Sequence, residues 1–222
     1  MSVASEIIRF TDELPANVRL VAVSKFHPVS KLMEAYSAGQ RIFGESRVQE
    51  LVQKAQEMPS DVQWHFIGHL QTNKVRALLP YVKLIHSVDS ERLLDCIDKE
   101  AARIGRTVDV LLQLHVAQEE AKFGFTIDEI AELANSGKLT AMKNVRVVGV
   151  MAMATNTDDD AEIRHEFAEA HHVFYKLKDG CFFGNDDFRE ISMGMSDDYR
   201  LAIAEGSTLV RIGTTIFGER EY

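Results

Sequence analysis

The tetrapeptide Val21-Ala22-Val23-Ser24 runs directly into Lys25, and the stretch is broken shortly afterwards at His27-Pro28. A short apolar run that is bounded by turn residues is typical of a buried strand. The sequence therefore places a lysine at the end of a buried strand. Such a lysine either extends its charge into solvent or holds its amine in a pocket, where desolvation favours the uncharged form. An uncharged amine in a pocket is what a lysine needs to form an imine (Schiff base) with an aldehyde.

The same kind of run recurs along the whole chain and alternates with helix-like segments. The runs predict eight strands, at residues 19–24, 41–44, 63–67, 84–87, 108–116, 145–151, 189–192 and 209–212. The segments between them have helical spacing and helix-ending residues such as Gly39 and Gly105. Two of these segments begin with the capping-box pattern, at Ser46 and at Thr126.

Eight strands that alternate with helices imply parallel βαβ units. The runs are continuously apolar, as expected for strands that are covered on both faces. At 222 residues, a closed (β/α)8 TIM-type barrel is the economical arrangement, and an open doubly wound sheet is the alternative. The open sheet usually carries a glycine-rich phosphate loop after its first strand, and this sequence has neither G-x-G-x-x-G nor the Walker pattern. We therefore predict one α/β domain over residues 1–222, folded as a (β/α)8 barrel.

The composition limits the classes of partner. The net charge of -9 argues against binding to nucleic acid or to an anionic membrane surface. No apolar run has the length of a membrane span, and the N-terminal residues lack the pattern of a secretory signal. Cys96 and Cys181 are isolated, which indicates small buried side chains rather than a metal or redox pair. We expect a cytoplasmic protein without a metal site.

In such a barrel the functional site lies at the carboxyl ends of the strands, and the loops after the last two strands often hold a phosphate. The seventh strand leads into residues 192–196, which read Ser-Met-Gly-Met-Ser, and the eighth leads into residues 211–215, which read Arg-Ile-Gly-Thr-Thr. Both loops offer hydroxyls and backbone N–H groups that suit an anion, although ordinary turns and helix caps use the same residues. Together with Lys25, the two loops predict a site for a phosphorylated aldehyde, pyridoxal 5'-phosphate (PLP).

Arg211 has two interpretations. It is either a surface charge at the end of a strand or the partner of the pyridine nitrogen of the cofactor, a role that is given to Asp or Arg. Because arginine stays protonated and can only donate hydrogen bonds, it cannot support a protonated pyridinium. The cofactor would then be a weaker electron sink, which favours limited proton chemistry or mere carriage.

Other reactive side chains fit structural roles. His65 and His69 are four residues apart around a strand end, so they do not form the helical zinc motif, and we expect them to be packed or hydrogen-bonded. Met151 and Met153 are expected to line the barrel or the pocket.

Taken in order, the motifs resemble those of the pyridoxal phosphate homeostasis proteins, which are related by fold to the N-terminal barrel of alanine racemase. The resemblance covers nearly the whole chain and rests on residues 22–25, 43–50, 65–74, 192–198 and 210–218. It implies a single barrel that holds PLP as an imine on Lys25, with Arg211 at the ring nitrogen. Some members carry asparagine where this chain has the shorter Ser46. The predicted cofactor-binding residues are Lys25, Ser192, Gly194, Ser196, Arg211, Gly213 and Thr214.

The resemblance also implies a function. Such a protein buffers, carries or delivers PLP, maintains the balance of PLP and amino acids, and has PLP-dependent apoenzymes as partners. We expect a monomer or a weak homodimer. Its likeness to a racemase extends only to the barrel. Racemisation also requires a proton donor on each face of the substrate carbanion. In alanine racemase the second donor is a tyrosine from an additional C-terminal domain.

We expect no such domain here, because the sequence ends at Tyr222, ten residues after Ile212. Carriage of PLP without catalytic turnover is therefore the main hypothesis. The first alternative is a PLP-dependent amino-acid racemase or lyase of low activity, with Tyr199 as the tyrosine to test for the second acid. The other alternative is a scaffold with an empty barrel.

Overall fold

The structure is a computed structural model that describes residues 2–117 and 123–219. Eight parallel strands form a closed barrel in the order in which they occur in the sequence. The strands are β1 (Arg19–Val23), β2 (Ile42–Glu45), β3 (Gln63–Phe66), β4 (Val82–Val88), β5 (Val108–Gln113), β6 (Val145–Met151), β7 (Glu190–Ser192) and β8 (Leu209–Ile212). Because β1 pairs with both β2 and β8, the sheet has no free edge. The predicted (β/α)8 barrel is confirmed, and the open sheet is excluded.

Helices connect the strands around the outside of the barrel. They are α1 (Val3–Glu13), α2 (Val29–Ser37), α3 (Val48–Glu57), α4 (Val75–Leu78), α5 (Glu91–Arg103), α6 (Ile127–Asn135), α7 (Lys138–Ala141), α8 (Asp160–Asp179), α9 (Tyr199–Ala204) and α10 (Thr214–Phe217). A short 3-10 helix, Thr72–Lys74, precedes α4. Within the described part of the chain, none of the helices is both long and apolar enough to cross a membrane.

Three of these helices, α1, α7 and α10, lie outside the predictions made from sequence. The apolar spacing for α1 is nevertheless present, because Val3, Ile7 and Phe10 recur at helical intervals and are buried. The helix begins where the Ser2 hydroxyl accepts the Ser5 N–H, at 3.1 Å. Helices α7 and α10 have four residues each, too few for a periodic pattern to identify them.

Of the two predicted capping boxes, one is present. At the start of α6, the Thr126 hydroxyl accepts the Glu129 N–H at 3.2 Å, and the Glu129 carboxylate accepts the Thr126 N–H at 2.8 Å. The box predicted at Ser46 is wrong. Helix α3 begins at Val48 with Arg47 as its N-cap, and no side chain makes a capping bond there. Ser46 therefore lies one residue too early to accept the N–H groups of the first turn.

The apolar core has two parts, because side chains alternate between the two faces of each strand. A small cluster fills the inside of the barrel, and its buried members are Val21, Leu84, Leu111, Val148, Met151 and Leu209. A larger cluster includes Leu20 and Ala22 on β1 together with Leu32 on α2 and Leu51 on α3, so it lies between the barrel and the helices. The prediction that Met151 lines the barrel is confirmed.

We expect Thr126→Ala to lower the free energy of unfolding by about 1 kcal/mol, because it removes the hydroxyl that caps α6. Ser46→Ala is the matched control and should leave the stability nearly unchanged, since Ser46 caps no helix. Urea unfolding of both variants, followed by circular dichroism, measures the difference. Equal losses in the two variants would contradict the assignment of the caps.

Candidate functional site

A cavity of about 290 Å³ opens at the carboxyl ends of the strands. Its volume is close to the lower end of the range for small-molecule sites. The lining residues are Val23, Lys25, His27, Ile67, Met153, Met195, Ser196, Asp197, Arg211, Gly213 and Thr214. The list includes five of the seven residues predicted from sequence, namely Lys25, Ser196, Arg211, Gly213 and Thr214. The predicted pocket role of Met153 is also confirmed.

Lys25 lies in a tight turn directly after β1. The Ser24 carbonyl oxygen accepts the His27 N–H at 3.1 Å, so Lys25 is the second residue of a four-residue turn. The turn leads the chain out of the barrel and into α2, which begins at Val29. The side chain of Lys25 is thereby presented to the cavity at the barrel mouth.

Arg211 is buried on the floor of the cavity and is only 5% exposed. Its Nη1 donates to the carbonyl oxygen of Ser192 at 2.9 Å and to the Ser192 Oγ at 2.6 Å, and its Nη2 donates to the carbonyl oxygen of Ala152 at 3.0 Å. These bonds fix the plane of the guanidinium, so the interpretation as a surface charge is wrong.

Burial lowers the pKa of Arg211 to about 10, which leaves it protonated at neutral pH. Arginine has five N–H bonds. The three bonds to Ser192 and Ala152 account for all of the acceptors found among the described residues. The guanidinium can therefore still donate to an acceptor in the cavity.

Ser192 is fully buried and lies behind the cavity wall rather than in it. Its hydroxyl connects Arg211 to two histidines inside the barrel. Ser192 Oγ lies 2.9 Å from His86 Nδ1, and His86 Nε2 lies 2.9 Å from His65 Nδ1. The prediction that His65 is a packed, hydrogen-bonded residue is confirmed.

The two histidines are neutral at pH 7. Burial lowers the pKa of His65 to about 3 and places the pKa of His86 well below its ordinary value. A neutral imidazole has one donor nitrogen and one acceptor nitrogen. If Ser192 donates to His86, then His86 donates to His65, and the hydrogen bonds run in one direction away from Arg211.

Gly213 and Thr214 follow β8 and form one side of the cavity. A Cβ at Gly213 would lie 3.3 Å from both the Cβ and the carbonyl oxygen of Val23, so the loop packs tightly against the end of β1. Helix α10 begins at Thr214, and the first N–H groups of a helix have no acceptor within it. Ser196 reaches the same cavity from the loop after β7, so both loops contribute a residue with a hydroxyl to the cavity wall.

Gly194 does not line the cavity and serves the packing of the loop after β7. Its φ is +94°, and a Cβ there would lie 2.6 Å from the Cβ of Ala202 on α9. Its carbonyl oxygen accepts the Arg211 N–H at 3.0 Å. Ser192 and Gly194 thus support Arg211 from behind, while the other five predicted residues line the cavity.

The structure adds His27 and Asp197 to the cavity wall, and the sequence reasoning missed both. His27 is buried and stacks on Phe217, with the ring centroids 5.2 Å apart. The signal that could have found them is their position next to Lys25 and Ser196 in the predicted loops. Tyr199, considered above as a second acid, instead donates its hydroxyl to Glu13 on α1 at 2.7 Å.

The other histidine considered above, His69, is also hydrogen-bonded and packed. Its Nδ1 lies 3.0 Å from Asp89 Oδ2, and its ring stacks on Phe123 with centroids 3.9 Å apart. Across residues 2–117 and 123–219, no group of three or more His, Cys, Asp or Glu side chains is arranged to hold a metal ion.

Comparison with known proteins gives one family. A family profile described as alanine racemase, N-terminal domain, matches residues 3–221. A pyridoxal phosphate homeostasis protein of Aquifex aeolicus is 38% identical over 205 residues, which cover 92% of this chain and 88% of that protein. A protein with the same description from Schizosaccharomyces pombe is 38% identical over 206 residues, covering 92% and 85% of the two chains.

The similar solved structures agree with this family assignment. PipY of Synechococcus elongatus, solved with PLP bound, superposes with a TM-score of 0.87 at 37% identity and covers 98% of this chain and 100% of its own. The PLP-free structure of the same protein gives 0.90. Alanine racemase of Corynebacterium glutamicum is 13% identical, with a TM-score of 0.75, and this chain covers 61% of it. That likeness shows the shared fold alone.

The buried histidines predict a pH dependence of stability. Because the pKa of His65 is lower in the folded state than its ordinary value of 6.5, the unfolded chain binds a proton between pH 6.5 and about 3 that the folded chain does not. The stability associated with neutral His65 is therefore fully present above pH 6.5 and is lost as the pH falls, by up to about 1.4 kcal/mol per pH unit. We expect His65→Gln to lose stability less steeply than wild type between pH 6.5 and 5.

Urea unfolding at pH 7, 6.5, 6, 5.5 and 5 measures both slopes. Glu45 acts in the opposite sense, because burial raises its pKa to about 7, so its contribution falls as the pH rises from 4.5 to 7. Glu45 and His86 are present in both proteins, so the difference between the two slopes reports the removal of His65. Parallel slopes would show that His65 is not held neutral in the fold.

Proposed function

This chain belongs to the alanine racemase N-terminal domain family and to the pyridoxal phosphate homeostasis proteins, and on that premise we propose that it binds PLP at the barrel mouth and carries it to other proteins without turning over a substrate. The observation that supports the proposal is the convergence of a lysine amine, a fixed guanidinium and two hydroxyl-bearing loops on one cavity. PLP-dependent apoenzymes in the cytoplasm are the proposed recipients.

The residues of the cavity fit the three polar parts of PLP. Lys25 would hold the aldehyde end through its amine, and Arg211 would donate to the ring nitrogen. Ser196, Thr214 and the backbone N–H groups next to Gly213 would hold the phosphate, since hydroxyls and helix-start N–H groups suit an anion. When bound, the cofactor supplies an aldehyde that reacts with amines and a ring that accepts electrons.

The surroundings of Arg211 support carriage rather than catalysis. The guanidinium is fixed by Ser192 and Ala152 and remains protonated at neutral pH, so it can only donate to the ring nitrogen. Arg211 would thereby keep that nitrogen unprotonated, so the ring would withdraw electrons less strongly than next to a carboxylate. The Tyr199 hydroxyl is bound to Glu13 and does not line the cavity, so it does not supply a second proton donor there.

The first test is attachment of the cofactor at Lys25. Purified protein incubated with PLP should show visible absorption, and borohydride reduction should fix one cofactor mass on the peptide that contains Lys25. Lys25→Ala should abolish the fixed mass, because it removes the amine that lines the cavity. Lys83→Ala is the control, since Lys83 pairs with Asp109 outside this cavity and should leave the labelling unchanged. Labelling at other lysines alone would overturn the proposal.

Carriage is separated from turnover with the same protein. One equivalent of loaded protein should activate about one equivalent of a PLP-dependent apoenzyme, while free alanine or serine should not racemise above the buffer rate. Sustained racemisation that depends on Lys25 would favour the enzymatic alternative.

The phosphate position is tested by comparing PLP with pyridoxal, which lacks the phosphate. Thr214→Val should weaken PLP binding by about ten- to a hundredfold, because a hydrogen bond to a charged group is worth roughly 1.5–3 kcal/mol. Binding of pyridoxal should not change. Thr215→Val is the matched control, since Thr215 is adjacent but does not line the cavity. Equal losses for both ligands would show that Thr214 does not contact the phosphate.

A further inference from the structure

The turn that presents Lys25 contains a strained backbone. The Ser24 carbonyl oxygen accepts the His27 N–H, so Phe26 is the third residue of the turn. Phe26 has a φ of +69°, and it is the one residue other than glycine with a positive φ in the described part of the chain. A type II turn needs a positive φ at its third residue, which glycine normally provides. An aromatic residue there persists only when its surroundings impose the conformation.

Those surroundings include a compact cluster of three ionisable side chains, Glu45, Glu50 and Lys54. Lys54 Nζ lies 2.8 Å from Glu45 Oε1 and 2.7 Å from Glu50 Oε1. Glu45 is fully buried at the end of β2, and Lys54 on α3 is 5% exposed. The cluster therefore lies inside the fold, between β2 and α3.

The cluster bonds to the backbone on both sides of Lys25. Lys54 Nζ donates to the Ser24 carbonyl oxygen at 2.8 Å, and Glu50 Oε1 accepts the Phe26 N–H at 2.6 Å. The Ser24 hydroxyl also donates to Glu45 Oε1 at 2.6 Å. The residues before and after Lys25 are thus tied to one rigid group, while the Lys25 side chain faces the cavity.

Stabilisation of the fold does not by itself explain this cluster, because burying its ionisable groups is costly. Among the described residues Glu45 Oε2 is buried without a hydrogen-bond partner, and burial raises the pKa of Glu45 to about 7 against the opposing effect of Lys54. Buried ion pairs are often no more stabilising than apolar side chains of similar volume. A costly charged group that contacts both flanks of a functional lysine indicates a role in the site.

We propose that Glu45, Glu50 and Lys54 are positioning residues that hold the Ser24–His27 turn in its strained form and thereby aim the Lys25 amine at the cofactor aldehyde. The inference rests on the proposed binding of PLP. It assigns the attachment step, and not the holding of the phosphate or ring, to this cluster. Attachment and simple binding should therefore respond differently when the cluster is broken.

The test uses two readouts on the full-length protein. The first is the fraction of Lys25 that borohydride traps with PLP, and the second is the affinity for pyridoxamine 5'-phosphate, which has no aldehyde. Glu50→Ala removes the acceptor of the Phe26 N–H and should reduce trapping by about tenfold or more, as expected for a misplaced reacting group. The affinity for pyridoxamine 5'-phosphate should remain that of the wild type.

Two variants serve as controls. Glu50→Gln keeps an oxygen that can accept the Phe26 N–H, so it should restore most of the trapping. Glu57→Ala makes the same chemical change at an exposed position of α3 and should behave as wild type. If Glu50→Ala does not fold, Ser24→Ala, which removes the hydroxyl that donates to Glu45 and, at 3.4 Å, to the Gly44 carbonyl oxygen, should lower trapping in the same direction and by less.

The outcomes separate this inference from the proposed function. If wild type itself traps no PLP on Lys25, the proposed function fails. If wild type traps PLP and Glu50→Ala traps it equally well, the positioning role is wrong. A parallel loss of trapping and of pyridoxamine 5'-phosphate affinity also overturns it, because such a loss indicates general damage to the site.

Discussion

The pairing of β1 with β8 is the constraint on which the site depends. In this register Ala22 lies opposite Ile212, so the residues that follow on each strand emerge side by side at the barrel mouth. Lys25 follows Ala22 by three residues, and Gly213 follows Ile212 by one. A cavity that joins an amine near residue 25 to donors near residue 213 exists only because the sheet closes on itself.

The inside of the barrel combines two kinds of packing. An apolar cluster around Leu84, Leu111 and Leu209 fills one part, as in other barrels. Beside it, the fully buried side chains of His86 and Ser192 connect Arg211 to the interior. Buried polar groups are tolerated when each finds a partner, and a satisfied network is rigid. The fold thus holds the guanidinium in one orientation through side chains that do not themselves reach the cavity.

Sequence patterns predict most of this architecture and a large part of the cavity wall. The predicted bounds of β6 and β8, residues 145–151 and 209–212, are those of the structure. Lys25, Arg211 and Gly213 follow from topology, since strand ends of a barrel converge at one mouth.

The remaining features depend on contacts between distant parts of the chain. Ser192 and Gly194 lie behind the wall because strand register and loop packing decide which side a residue faces. The Glu45–Lys54 contact joins a strand to a helix, and no local pattern marks it. The positive φ of Phe26 contradicts the preference of its residue type, so it can be observed only in the folded chain.

The pairing of β1 with β8 also decides when the pocket can form during synthesis and folding. During synthesis, Lys25 is made long before the segment that contains Arg211 and Thr214. The two halves of the pocket meet only when β8 pairs with β1. A ligand that contacts both halves of the pocket can therefore bind only after the barrel has closed.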